Sequence, residues 1–168
     1  MSAWIKLQDT AQRGCIVKIG DSAAYGGTHA NNGWSMGVGL TDYTSNGNNL
    51  IANFEGVGFF DSGVNIGLGW HHVAISISLA GTEVKFYIDG RFVGTSSGGP
   101  ALTITTPGFS FGFPSPPAES FALIGADGDR RDFTGDAIDR VALYPHILSD
   151  AQIFDIYAQT ALFIQARP

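Results

Sequence analysis

Two polar loops carry the residue types best suited to grip an uncharged ligand rich in hydroxyls. Tyr25 to Gly33 reads Tyr-Gly-Gly-Thr-His-Ala-Asn-Asn-Gly and runs directly into Trp34, while Thr41 to Asn49 contains Tyr43, Asn46 and Asn48. The rings of Tyr25, Trp34 and Tyr43 can stack on the C–H faces of a sugar. The amides of Asn31, Asn32 and Asn46 can both donate to its hydroxyls and accept from them. The competing reading is a pair of ordinary polar loops, a composition common in β proteins. A third loop is acidic: Asp127-Gly128-Asp129, with Asp132 close behind, sets carboxylate oxygens on a turn. Such oxygens are the ligands calcium takes. Arg130 and Arg131 stand between those carboxylates and the spacing is not that of an EF-hand, so a solvated turn with self-neutralising charges competes with a metal site.

Catalytic constellations are harder to assemble. His71 and His72 are adjacent, and on a strand neighbouring side chains leave opposite faces, so the two rings cannot share one ion. Glycoside hydrolysis needs two carboxyl groups about 5–9 Å apart. Glu55, Glu83 and Glu119 are isolated in sequence, and Asp136 and Asp139, three apart on a predicted strand, point to opposite faces. The expectation is a protein that is not an enzyme and requires no cofactor, with a glycosidase as the lesser alternative.

The elements that must hold these loops are strands. Only 14% of the 168 residues are charged, 23 are glycine, and hydrophobic residues make up 44%. Lys and Glu, the usual covering of exposed helix faces, are scarce; Gly, Thr, Phe and Val call for strands joined by tight turns. Alternation predicts strands at Ala3–Leu7, Cys15–Ile19, Trp34–Leu40, Leu50–Phe54, Phe121–Gly125 and Ala137–Tyr144, with brief ones at Leu102–Ile104 and Phe109–Phe113. Along His72 to Leu79, Val73, Ile75, Ile77 and Leu79 face one way and His72, Ala74, Ser76 and Ser78 the other. Val84, Phe86 and Ile88 repeat the pattern, and Asp89-Gly90 turns the chain into Arg91-Phe92-Val93. Asp-Gly between alternating runs signals a two-residue hairpin. Ser149 offers an N-cap, and Ile153, Ile156 and Tyr157 recur at helical spacing, which predicts one short helix over 149–159 and a tail over 160–168. The length fits one domain spanning residues 1–168, with no internal repeat.

Charge and hydropathy remove other classes. Nine basic against fifteen acidic residues give a formal net charge of −6. The lysines are only Lys6, Lys18 and Lys85, so a phosphate backbone is a poor partner. No apolar run approaches the roughly 20 residues that span a membrane, and Met1-Ser2-Ala3-Trp4 lacks the basic start of a signal peptide. Cys15 is the single cysteine and forms no internal disulfide.

Four segments in order resemble a known family: Trp70-His71-His72-Val73-Ala74, then Val84 to Arg91, then Phe133 to Val141, then Leu148-Ser149 opening the helix through Ile153 and Tyr157. With Ser2 to Leu7 ahead of them, they resemble the laminin-G-like, concanavalin-A-like domains of the branch related to pentraxins, over roughly Ser2 to Tyr157. The resemblance implies an all-β, two-sheet antiparallel jelly-roll sandwich, as the strand and turn density also suggests. It implies that the His71-His72 pair is structural and that calcium is the metal the acidic turn would hold. Two departures stand out. Family members usually carry a strand before the Ser-Ala-Trp segment, so an open N-terminal edge is expected, to be filled by a neighbouring subunit or by residues 160–168. Arg140 stands where the family often has an acidic residue.

Two functions remain in view. One is a non-catalytic recognition module for a glycan or a protein at a cell or virion surface. The other is a structural or decorating subunit of a virus particle or other large assembly. In that case Ala161-Leu162-Phe163-Ile164 is an apolar patch seeking a partner, and a homo-oligomer would form through the N-terminal edge and residues 160–168. Either way the location is extracellular or at a virion surface.

Overall fold

The computed structural model describes residues 1–10, 12–20, 33–39, 47–54, 58–77, 83–97, 121–125 and 133–165. Ten strands and one helix lie in these residues. They are β1 (Ser2–Leu7), β2 (Gly14–Gly20), β3 (Gly33–Val38), β4 (Asn49–Phe54), β5 (Gly58–Asn65), β6 (Gly69–Ile77), β7 (Glu83–Ile88), β8 (Arg91–Ser97), β9 (Phe121–Ile124), β10 (Ala137–Ala142) and α1 (Asp150–Gln165). Two antiparallel sheets result, one in the order β10-β1-β6-β7-β8 and the other β5-β4-β3-β2-β9. The predicted Leu102–Ile104 and Phe109–Phe113 strands lie outside the described residues.

Alternation decides what each sheet buries. Ala3, Ile5 and Leu7 of β1, Val73 and Ile75 of β6, and Val84 and Phe86 of β7 meet Met36, Val38, Leu50 and Ala52 of the opposing sheet in one core. The β7–β8 hairpin turns on Asp89 and Gly90, both left-handed with φ of 50° and 73°, the geometry a two-residue turn of this hand demands.

Five points differ from the sequence-based expectations. The second face of β6 is buried as well: His72 and Ala74 lie beneath α1, because the helix packs across the back of the β10-β1-β6-β7-β8 sheet. The helix does not stop at Gln159. It runs to Gln165, since Ala161 and Ile164 continue the stripe begun by Ile153 and Tyr157 and close on Trp4. Ser2–Leu7 is no open edge either, for β10 pairs on one side of it and β6 on the other. Finally, Gly58–Asn65 forms an edge strand that the alternation did not show, and Asp136 falls just ahead of β10 rather than on it.

Candidate functional site

Antiparallel topology sorts the connections onto two ends of the sandwich. Gly20 opposes Gly33 across β2 and β3, and Phe54 opposes Gly58 across β4 and β5, so connections 21–32 and 55–57 leave one end. Val38 opposes Leu50, Gly14 opposes Val38, and Leu7 opposes Gly69, so connections 8–13, 39–48 and 66–68 leave the other. The Asp89-Gly90 turn and the connection from β9 to β10 share that second end. A strand of six residues is roughly 20 Å long. Trp34, at the start of β3, therefore stands at one end, while Gly39 and Asn48, which flank the 40–46 segment, stand at the other with Gly125 and Phe133.

Of the predicted site residues only Trp34 is described, at the start of β3, half-buried and packed against the main core. Tyr25, Asn31, Asn32, Tyr43, Asn46, Asp127, Asp129 and Asp132 lie outside the described residues. What is described at the second end is a base of interlocked loops. Gln12 donates from Nε2 to the Thr134 carbonyl (3.1 Å), and the Arg13 N–H donates to Thr134 Oγ1 (2.9 Å). Asn48 donates from Nδ2 to the Asp9 carbonyl (2.8 Å), and the Ile66 N–H donates to the Asn48 carbonyl (2.7 Å). Asn49 donates from Nδ2 to Asp61, whose Oδ1 also accepts the Gly63 N–H. Four connections are thereby tied into one rim.

His71 belongs to the same end. Its Nδ1 meets Asp89 Oδ2 at 2.8 Å and its Nε2 meets the Leu68 carbonyl at 3.0 Å, while Asp89 Oδ1 accepts the His72 N–H. Both ring partners are acceptors, so only the imidazolium satisfies both. The hydrogen bond His71 donates to the Asp89 carboxylate is the main cause that raises its pKa above the ordinary value. Sequence reading placed this pair as structural without seeing the clamp, although the hairpin register, which sets Ile88 beside Val73, already brings Asp89 next to His72.

A second polar group lies on the β5-β4-β3-β2-β9 sheet, on the face away from the core. Lys18, Ser35 and Asn53 sit directly opposite one another across β2, β3 and β4. An ammonium, a hydroxyl and a carboxamide in a row would suit a hydroxyl-rich ligand, but they are 1%, 1% and 5% exposed. An external ligand does not reach them in this state.

Four described carboxylates serve the fold. Asp61 holds Asn49 and Gly63, Asp89 holds the two histidines, Asp136 pairs with Lys6 at 3.0 Å, and Asp150 accepts the Tyr87 hydroxyl at 2.8 Å. Among the described residues no cluster of three His, Cys, Asp or Glu side chains could hold a metal ion.

Fold and family agree. Residues 1–154 match the model of the concanavalin A-like lectin/glucanases superfamily, and the chain belongs to that family. None of the curated proteins compared with it matches. Among solved structures it is similar to domain 4 of AbnA, a GH43 extracellular arabinanase from Geobacillus stearothermophilus, in complex with arabinotriose. That match has 20% identity, a TM-score of 0.55, and coverage of 93% of this chain and 64% of that one. It is also similar to a native heptameric SAP-like pentraxin from Limulus polyphemus (17% identity, TM-score 0.54, 93% and 67% coverage). The chain thus spans slightly under two thirds of the arabinanase domain. As its description says, the family embraces lectins and glucanases alike.

Proposed function

We propose that this protein is a non-catalytic carbohydrate-recognition module that binds a glycan outside the cell at the second end of the sandwich, through the connection carrying Tyr43 and Asn46. The observation that carries this reading is the convergence there of the 8–13, 39–48, 66–68 and β9–β10 connections on one hydrogen-bonded base. A rigid base lets exposed loop residues meet a ligand without a large ordering cost. At the opposite end Trp34 already spends part of its ring on the core, which makes it a poorer platform. The complex of the arabinanase domain with arabinotriose supports an oligosaccharide as the ligand class. The engagement of Asp61, Asp89, Asp136 and Asp150 in structural contacts supports recognition over hydrolysis. Calcium enters this reading only through Asp127, Asp129 and Asp132, whose segment runs between Gly125 and Phe133.

The test is a broad glycan panel, with arabino-oligosaccharides included, probed with the whole chain. Saturable binding without release of reducing sugar is the expected result; silence across the panel, or turnover, contradicts it. A second reading, assembly through α1, is favoured by Leu162 and Phe163, which are 74% and 60% exposed. It requires a defined oligomer in solution, and a monomer at all concentrations contradicts it.

A further inference from the structure

His72 is 1% exposed, and neither of its ring nitrogens has a hydrogen-bond partner. The ring lies between Trp4 of β1 and Tyr157 of α1, with centroids 5.6 and 6.1 Å away, and Trp4 and Tyr157 stack on each other at 5.7 Å. A neutral imidazole brings one donor and one acceptor, and burying both unmet costs stability that an apolar ring of similar size would not. Protonation deepens the cost, because an imidazolium has two donors and a charge but finds no acceptor.

The groups that face the ring offer no relief. From the β7–β8 turn comes Asp89, whose carboxylate is already held by His71 and by the His72 main-chain N–H. Just ahead of β1 lies the Met1 amino group, which burial holds down to about 5 and which repels a second cation only once it is itself protonated; along β1, Lys6 is paired with Asp136. From α1 come the Tyr157 ring and the Thr160 hydroxyl, and the hydroxyl accepts from Trp4 Nε1 at 2.8 Å while donating back to the Ile156 carbonyl. Tyr87 of β7 donates to Asp150. Among the described elements, α1 is the one whose departure would bring water to the ring.

We propose that His72 is an acid-operated latch for α1: the neutral ring lets the helix close over Trp4 and Tyr87, and protonation frees the helix and uncovers that face of the sheet. Trp4, Ala74 and Tyr87 are then exposed on the sheet, and Ile153, Tyr157 and Ile164 on the helix. Burial holds the ring's pKa down to about 4, against the pull of Asp89 and with the push of the Met1 ammonium. The helix is suited to local release. Its anchors are the Trp4–Thr160 and Tyr87–Asp150 hydrogen bonds and two small apolar clusters, all separate from the main core.

Amide hydrogen exchange over residues 150–165 of the whole chain, corrected for the intrinsic pH dependence of exchange, tests this between pH 7 and pH 5. A ring with its ordinary value when α1 is open and about 4 when it is closed makes the open population rise about twenty-fold across that range. The amides of β6 and β7 keep their protection. The variant His72→Phe abolishes the rise. Helix protection that does not change with pH overturns the proposal, as does an equal loss across β6 and β7, or a rise that persists in His72→Phe. A readout that needs no variant is the NMR titration of the His72 ring: it stays neutral to below pH 5 while α1 is docked, and titration near pH 6.5 overturns the latch.

Discussion

His71 and His72 leave opposite faces of β6, and the same carboxylate, Asp89, touches the ring of one and the main-chain N–H of the other. Their preferences for the proton are opposed. His71 points both ring nitrogens at acceptors and is held protonated; His72 points both at nothing and is held neutral.

This opposition shapes the pH profile of stability, together with the Met1 amino group, which burial holds down to about 5 and which adds its own loss on the acid side. For His71 the folded-state pKa lies above the ordinary value, so its contribution is complete below about pH 6.5 and fades as pH rises through the raised value. For His72 the folded-state pKa lies below the ordinary value, so its contribution is complete above about pH 6.5 and is lost as pH falls toward 4. The His72 share is on the order of 3 kcal/mol. Chemical denaturation from pH 8 to pH 4 is expected to show a fall on the acid side that His72→Phe flattens. In Asp89→Asn, the His71 titration moves back toward the ordinary value.

The Asp89-Gly90 turn also receives the helix. A Cβ on Gly90 would stand 2.9 Å from Tyr157 Cβ and Cδ1, at a φ of +73°. Gly90→Ala is expected to cost about 1–3 kcal/mol through backbone strain and to push α1 outward. A lowered melting temperature with increased exchange in α1 checks it; a change confined to the hairpin contradicts it.

Two further polar contacts of α1, one docking it and one capping it, are expected to differ in cost. Thr160→Val leaves the Trp4 indole N–H without an acceptor in a buried place and is expected to cost about 1–3 kcal/mol. Ser149→Ala removes one arm of a reciprocal cap, in which Ser149 Oγ accepts the Gln152 N–H and Gln152 Oε1 accepts the Ser149 N–H. That loss is expected to cost about 1 kcal/mol. Thermal melts of the two variants check both.

Calcium is tested by melting with and without a chelator. A rise in melting temperature with added calcium that Asp129→Asn removes is the outcome expected if the Asp127–Asp132 turn holds the ion; identical curves remove calcium from the account.

Much of the sandwich was legible because period-two alternation is strong wherever one face meets the core, as in Val73–Ile75 and Val84–Phe86. It failed where a face has two owners. His72 and Ala74 look solvent-facing beside Ser76, yet the sheet is covered on its back by a helix drawn from the far end of the chain. In Gly58–Asn65, an edge strand, Phe59 beside Phe60 and the Asp61-Ser62-Gly63 run hide the period, because Asp61 is kept for Asn49 and the Gly63 turn. The tail was misjudged because Gln159 and Thr160 interrupt the apolar stripe, although Thr160 is there to accept from Trp4. The candidate site was less legible still. Loop composition does not say which end of a strand a loop leaves, and only pairing shows which end Trp34 occupies.

The two ends of the sandwich supply the sharpest measurement. Calorimetric titration of the best-binding oligosaccharide from the panel into the parent chain, Tyr43→Ala and Trp34→Ala should show binding lost in Tyr43→Ala and retained in Trp34→Ala. Retention in Tyr43→Ala with loss in a folded Trp34→Ala, or equal loss in both, contradicts recognition at the second end of the sandwich.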